Sequence, residues 1–128
     1  MRESALNLMR TETMDIFYNT QNLSLEQKIA LLDDCQAACF HWWVDKLDCS
    51  VSFRRERIEM TYEEMKQKLT TKSHFVVIDR KYFRSDDKKY FEIGFCTMES
   101  IEYFLFIHVE DELMFPIIEK YDLAPMEH

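Results

Sequence analysis

The stretch from His74 to Glu110 constrains the fold more than any other part of this chain. It reads as three consecutive strands, His74–Phe83, Tyr90–Met98 and Ile101–Val109, and it holds nine of the eighteen aromatic residues. Strict alternation sorts its side chains into two faces, as a pleated strand requires. Phe91, Ile93, Phe95 and Thr97 share one face of the second strand, with Tyr90, Glu92, Gly94, Cys96 and Met98 on the other. Ile101, Tyr103, Leu105, Ile107 and Val109 line one face of the third, opposite Phe104, Phe106 and His108. Phe75-Val76-Val77-Ile78 is apolar on both faces, which predicts cover on both sides. Gly94 at mid-strand predicts a bulge or a helix pressed close to the backbone. Ser85-Asp86-Asp87-Lys88 and Glu99-Ser100 are the expected turns.

Ahead of this sheet the periodicity is helical. Leu6, Met9, Thr13, Ile16 and Phe17 recur at three- and four-residue steps and predict a helix over Glu3–Tyr18. Ser24 and Gln27 make a capping box, so a second helix is expected from Ser24 to Leu47. Leu25, Ile29, Leu32, Cys39, Phe40, Trp43 and Leu47 would form its apolar face. Val51–Met60 is ambiguous between strand and helix and is assigned as a strand. Thr61 and Glu64 predict another cap, opening a short helix that ends near Thr70. A closing helix is expected over Met114–Tyr121, with Pro116 tolerable only in its first turn.

The fold expected is therefore a single α+β domain over residues 1–128. It has two N-terminal helices, a short strand–helix unit, a three-stranded antiparallel meander and a C-terminal helix.

Composition removes several functions. One glycine in 128 residues leaves no glycine-rich phosphate loop, so neither a P-loop nor a dinucleotide fingerprint can be written. Arg2, Glu3, Arg10, Glu12 and Asp15 interrupt any apolar leader, and no run reaches the ~20 apolar residues of a membrane span. The four cysteines, Cys35, Cys39, Cys49 and Cys96, show no paired CxxC spacing. A reduced, cytoplasmic protein without a membrane partner is the expectation.

The net charge of −8 is unevenly spread. Residues 54–85 carry nine basic and five acidic side chains, and residues 86–128 carry three basic and eleven acidic ones. The basic block holds Arg54, Arg55, Arg57, Lys66, Lys68, Lys72, Arg80, Lys81 and Arg84, with Tyr82 and Phe83 able to stack on bases. Because two acidic blocks flank it, internal charge balance is the plainer reading, and the molecule as a whole should repel nucleic acid.

Other constellations have equally plain readings. Asp34, His41 and Asp45 fall on the polar strip of the long helix expected there, where a His with carboxylates could bind a metal or act as a base. A solvated face explains them as well. Cys35 and Cys39 with Cys49 or His41 lack the second ligand pair of a zinc site, and buried thiols account for them. Cys96 with His74 or His108 could pair a nucleophile with a base, but a mid-strand thiol near carboxylates is poorly placed to ionise. His108 with Glu110, Asp111 and Glu112 lacks the alternating ligands and central glycine of a calcium loop. No cofactor, metal or catalytic residue is expected, and the balance leans away from an enzyme.

The acidic end is the most persistent signal. In size, acidity and absence of a catalytic motif, the chain resembles small bacterial immunity and inhibitor proteins. That resemblance implies an acidic protein–protein interaction module that blocks a basic partner. The expected contact surface is Glu99, Glu102, Glu110, Asp111 and Glu112, with exposed Tyr and Phe of the sheet as anchors. Two alternatives stand beside it. One is an enzyme or small-ligand protein with a pocket between the long helix and the sheet, and the other is a homo-oligomeric subunit.

Overall fold

The structure, a computed structural model, describes residues 15–50, 54–80, 89–98 and 101–126. Six strands form one sheet: β1 (Ile16–Tyr18), β2 (His41–Asp48), β3 (Arg55–Ile58), β4 (His74–Arg80), β5 (Tyr90–Cys96) and β6 (Ile101–Glu110). Their order across the sheet is β1-β4-β5-β6-β2-β3, and every neighbouring pair is antiparallel. Three helices accompany it: α1 (Leu25–Ala38), α2 (Tyr62–Lys66) and α3 (Asp111–Lys120).

This overturns the expected architecture of two N-terminal helices and a three-stranded meander. Ile16–Tyr18, assigned to the first helix, is an edge strand paired with Val77–Asp79. The rest of that expected helix lies outside the described residues. The long Ser24–Leu47 helix is in fact helix and strand in succession. Its capping box forms as read, with Gln27 N–H donating to Ser24 Oγ and Ser24 N–H donating to Gln27 Oε1. The helix nevertheless stops at Ala38, because Cys39 turns extended and the next residues pair with β6 from His41↔His108 to Asp48↔Ile101. Trp42, Trp43 and Val44 favour a pleated surface, and β6 offers eight paired residues, all but Glu102 and His108 apolar. The three strands read after residue 74 are thus part of a six-stranded sheet, with β2 seated beside β6 and β1 beside β4.

The core occupies one face of this sheet. Phe75, Val77, Phe91, Ile93, Phe95, Leu105, Ile107, Val109 and Val44 point into it and are buried. Leu31, Leu32 and Cys35 of α1, Met65 of α2, and Met114 and Ile117 of α3 close it from above. Gly94 causes neither a bulge nor a close helix. It pairs in register with Val76 and Phe106, and nothing lies within 4 Å of where its Cβ would be.

Helix α3 begins three residues earlier than expected, at Asp111, so Pro116 falls inside it rather than in its first turn. It ends in a left-handed residue, Asp122 at φ 52°, with Leu123 N–H donating to Ile118 O and Asp122 N–H to Glu119 O. This is the Schellman arrangement, in which the turn-back satisfies the last free carbonyls of the helix. It returns the chain to the outer edge of β1, where Asn19 N–H donates to Ala124 O and Met126 N–H to Phe17 O. The terminal segment therefore seals one edge of the sheet. The other edge, β3, carries exposed Arg55, Glu56 and Arg57, and such charges discourage strand addition.

Candidate functional site

Of the carboxylates expected to form one contact surface, Glu102 stands apart from Glu110, Asp111 and Glu112. Glu99 lies outside the described residues. Glu102 and Glu110 sit eight residues apart on β6, which puts them about 26 Å from each other along the strand. Glu110 stands opposite Tyr90, and Asp111 and Glu112 occupy the first turn of α3, where the helix dipole favours acid. Only Glu110, Asp111 and Glu112 are neighbours.

Asp34, His41 and Asp45 do not meet either, because the helix meant to align them ends before His41. Asp34 of α1 accepts from Lys120 Nζ at 2.8 Å and from Tyr121 Oη at 2.7 Å, and those two hydrogen bonds hold its carboxyl below the usual range. Asp45 pairs with Arg55 at 3.6 Å, and His41 stacks on Trp43. Among the described residues, no three His, Cys, Asp or Glu side chains are placed to share a metal ion.

Cys35 and Cys96 are poor nucleophiles. Cys35 is fully buried against Met114 Sδ at 3.8 Å, and burial pushes its thiol far up. Cys96 stands opposite His74 in the β4–β5 register, but burial and then the Glu102 carboxylate push its thiol up to about 11. A thiol so shifted stays protonated near neutrality.

What the tertiary structure does assemble lies on the sheet face away from the helices. Alternation along β2 sends Trp42 and Val44 into the core and His41, Trp43, Asp45 and Leu47 to this opposite face. Register then sets Trp43 directly across from Phe106 and Asp45 across from Phe104. The result is a continuous run of rings. His41 stacks on Trp43 (centroids 5.0 Å apart), Trp43 on Phe106 (5.0 Å), and Phe106 lies parallel to Phe104 (6.3 Å). Two guanidinium groups of β3 cover them. Arg55 lies 5.2 Å from the Phe104 centroid and 5.5 Å from that of Phe106, and Arg57 lies 5.1 Å from Trp43. All are within the reach of a cation–π contact.

Beside this run is a charged cluster. Glu92 of β5 faces His108 of β6 in register. The His108 Nε2–H donates to Glu92 Oε1 at 2.9 Å, and Arg80 Nε lies 3.1 Å from Glu92 Oε2. Glu92 and His108 side chains are each 13% exposed. Burial pushes the Glu92 carboxyl up, but the His108 hydrogen bond and the Arg80 charge more than offset this, so the net shift is downward. Trp43 (4.9 Å, edge-on) and Tyr90 (4.6 Å) wall in the His108 ring. The cluster is structural glue on the β4–β5 side, where Ile78 and Tyr90 are buried as well. No described helix or strand lies across the β6–β2–β3 side.

Sequence reasoning anticipated Phe and Tyr anchors on the sheet but placed Trp43 on a helix. The alternation His41, Trp43, Asp45, Leu47 against Trp42, Val44, Lys46 was the available signal. The helical steps Phe40–Trp43–Leu47 concealed it. Of the basic block, Lys66 pairs with Asp33 at 3.0 Å and Lys68 lies over Tyr103 at 4.5 Å. Lys81, Tyr82, Phe83 and Arg84 fall outside the described residues.

Leu31, Leu32 and Cys35 of α1 pack into the core with Val44, Leu105 and Ile107 of the sheet, where the ligand reading expects a pocket. Concavities lie elsewhere: one of about 390 Å³ lined by Lys68, Thr70, Thr71, Lys72, Thr97 and Met98, and one of about 450 Å³ lined by Trp42, Glu59, Met60, Thr61, Tyr62 and Glu64. No described helix is long and apolar enough to cross a membrane. No protein-family model matches the chain, and no curated protein or solved structure shows significant similarity to it.

Proposed function

We propose that this chain is a small protein-binding module that holds a basic protein partner against the β6–β2–β3 side of its sheet. The observation that carries this reading is the run of rings Trp43–Phe106–Phe104 with Arg55 and Arg57 laid over them. Tryptophan, large aromatics and arginine are the residue types that dominate interface energetics, since rigid rings bury much area at little entropic cost. The rings are already stacked, so little ordering remains to oppose binding.

Long-range charge selects the partner. A net charge of −8 speeds encounter with a basic protein and slows it with an acidic one. Arg55 is locally balanced by Asp45 and does not reverse that field. Glu110, Asp111 and Glu112 then act as a steering corner rather than as the contact surface itself. Occupation of a basic partner's functional surface would make the module inhibitory.

Rings with guanidiniums on an open sheet also invite a nucleic-acid reading, since single strands are held by stacking platforms with basic grooves. Two features weigh against it. The described ring faces are already covered by arginine, and the total charge repels a phosphate backbone.

Immobilised protein incubated with lysate of the native cell at low salt, compared with a Trp43→Ala/Phe106→Ala variant, tests the proposal. A basic protein retained by the wild type should bind the variant about thirtyfold more weakly, the loss of one or two hot spots. Circular dichroism verifies that the variant is folded. Equal retention by both would remove the proposed surface, and binding of oligo(dT) in fluorescence anisotropy would transfer it to nucleic acid.

A further inference from the structure

A second concavity lies on the other side of β2. It opens where β3 gives way to α2, and Trp42, Glu59, Met60, Thr61, Tyr62 and Glu64 line its volume of about 450 Å³. That is within the size range of sites that take a small group or one long side chain. Its floor is apolar and aromatic. The Trp42 and Tyr62 rings meet edge to face with centroids 6.1 Å apart. The Tyr62 ring is anchored, because its hydroxyl donates to Asp33 Oδ1 at 2.8 Å. Trp42 and Met60 pack against the core, so neither wall is loose.

The rim has one sign. Glu59 and Glu64 are exposed carboxylates, and no lysine or arginine is among the lining residues. Lys66 is near the Tyr62 ring, but Asp33 and Glu63 hold its ammonium at 3.0 Å and 3.6 Å. Aromatic rings attract cations through their quadrupole, and carboxylates at the mouth add Coulombic attraction. An anion would meet repulsion at the rim, and a neutral apolar group would leave the carboxylates without reward.

We propose that this concavity receives the lysine or arginine side chain of a basic partner protein, the stem against Trp42 and Met60 and the charged head between Glu59 and Glu64. This deepens the reading of the partner as basic, but uses a surface separate from the Trp43–Phe106–Phe104 run. The two can therefore fail independently.

The test needs no partner. The full chain, labelled with ¹⁵N, is titrated with the capped peptide acetyl-Gly-Arg-Gly-amide at low salt. The same titration is run with citrulline in place of arginine, which keeps the shape and removes the charge. The Trp42 indole resonance, distinguished from that of Trp43 by a Trp43→Phe variant, should shift saturably with the arginine peptide. The citrulline peptide should bind about tenfold more weakly. Glu59→Gln, a change at an exposed side chain, should weaken arginine binding several-fold, and Glu59→Gln/Glu64→Gln should weaken it further. Equal affinity for the two peptides, an unchanged affinity in the double variant, or a shift of Trp43 without Trp42 would overturn the proposal. So would the absence of a saturable shift. Failure of the lysate experiment with an intact peptide titration would remove the sheet-face reading alone.

Discussion

At the scale of single residues, Glu92 shows how register makes an interaction that alternation alone could not locate. Its carboxylate meets His108 and Arg80 only because β6 and β4 flank β5 in one alignment. The folded carboxyl titrates below the usual value of about 4.3, so the unfolded chain takes up this proton first as pH falls. The stabilisation is complete above the unfolded value and disappears as pH falls through the folded one. Glu92→Gln should therefore cost about 1–3 kcal/mol at pH 7 and progressively less as the solution is acidified below the unfolded value, as urea unfolding across a pH series would show. A loss that does not change with pH down to acid unfolding would mean that the carboxylate charge contributes nothing. The two glutamates of the Trp42 concavity, by contrast, were visible as residues but not as a rim. Their proximity follows from how β3 hands over to α2.

At the scale of elements, local signals placed the start of α1 better than its end. Ser24 and Gln27 mark the start of α1 through a reciprocal cap that uses only four residues. Nothing local marks its end at Ala38. Trp43 and Leu47 fit a helical face as well as a strand, and pairing with β6 decides between them. Gly94 teaches the reverse lesson. A mid-strand glycine implied a special backbone, yet β5 runs through it with ordinary pairing and open space at its Cβ. Gly94→Ala should therefore stabilise the protein by about 0.5–1 kcal/mol, by restricting the unfolded chain without a clash. A lowered midpoint in thermal unfolding would show that the glycine matters in some way the strand geometry does not reveal.

At the scale of the whole molecule, both edges of the described sheet carry features that discourage strand addition. The 124–126 segment borders β1, and β3 presents Arg55, Glu56 and Arg57. A second copy adding its own β3 there would bring arginines face to face, so association through sheet edges is disfavoured and faces are left for partners. The core is continuous from α1 through β6 to α3, with Leu105 at its middle and 1% exposed. Leu105→Ala should cost about 2–5 kcal/mol, as buried leucine truncations do. Loss of secondary structure and of near-ultraviolet signal in one urea transition would confirm a single cooperative unit, and two separated transitions would refute it.

The sequence by itself determined which segments alternate, which of their residues are apolar, where α1 is capped and which phosphate-binding motifs are absent, because these follow from spacing and local chemistry. Tertiary structure alone decided that His41–Asp48 is a strand, that Ile16–Tyr18 pairs with β4, and that Trp43 lies across from Phe106. Each of those outcomes depends on pairing between segments tens of residues apart, and the free energy of such pairing is settled by the partner strand rather than by the residues themselves.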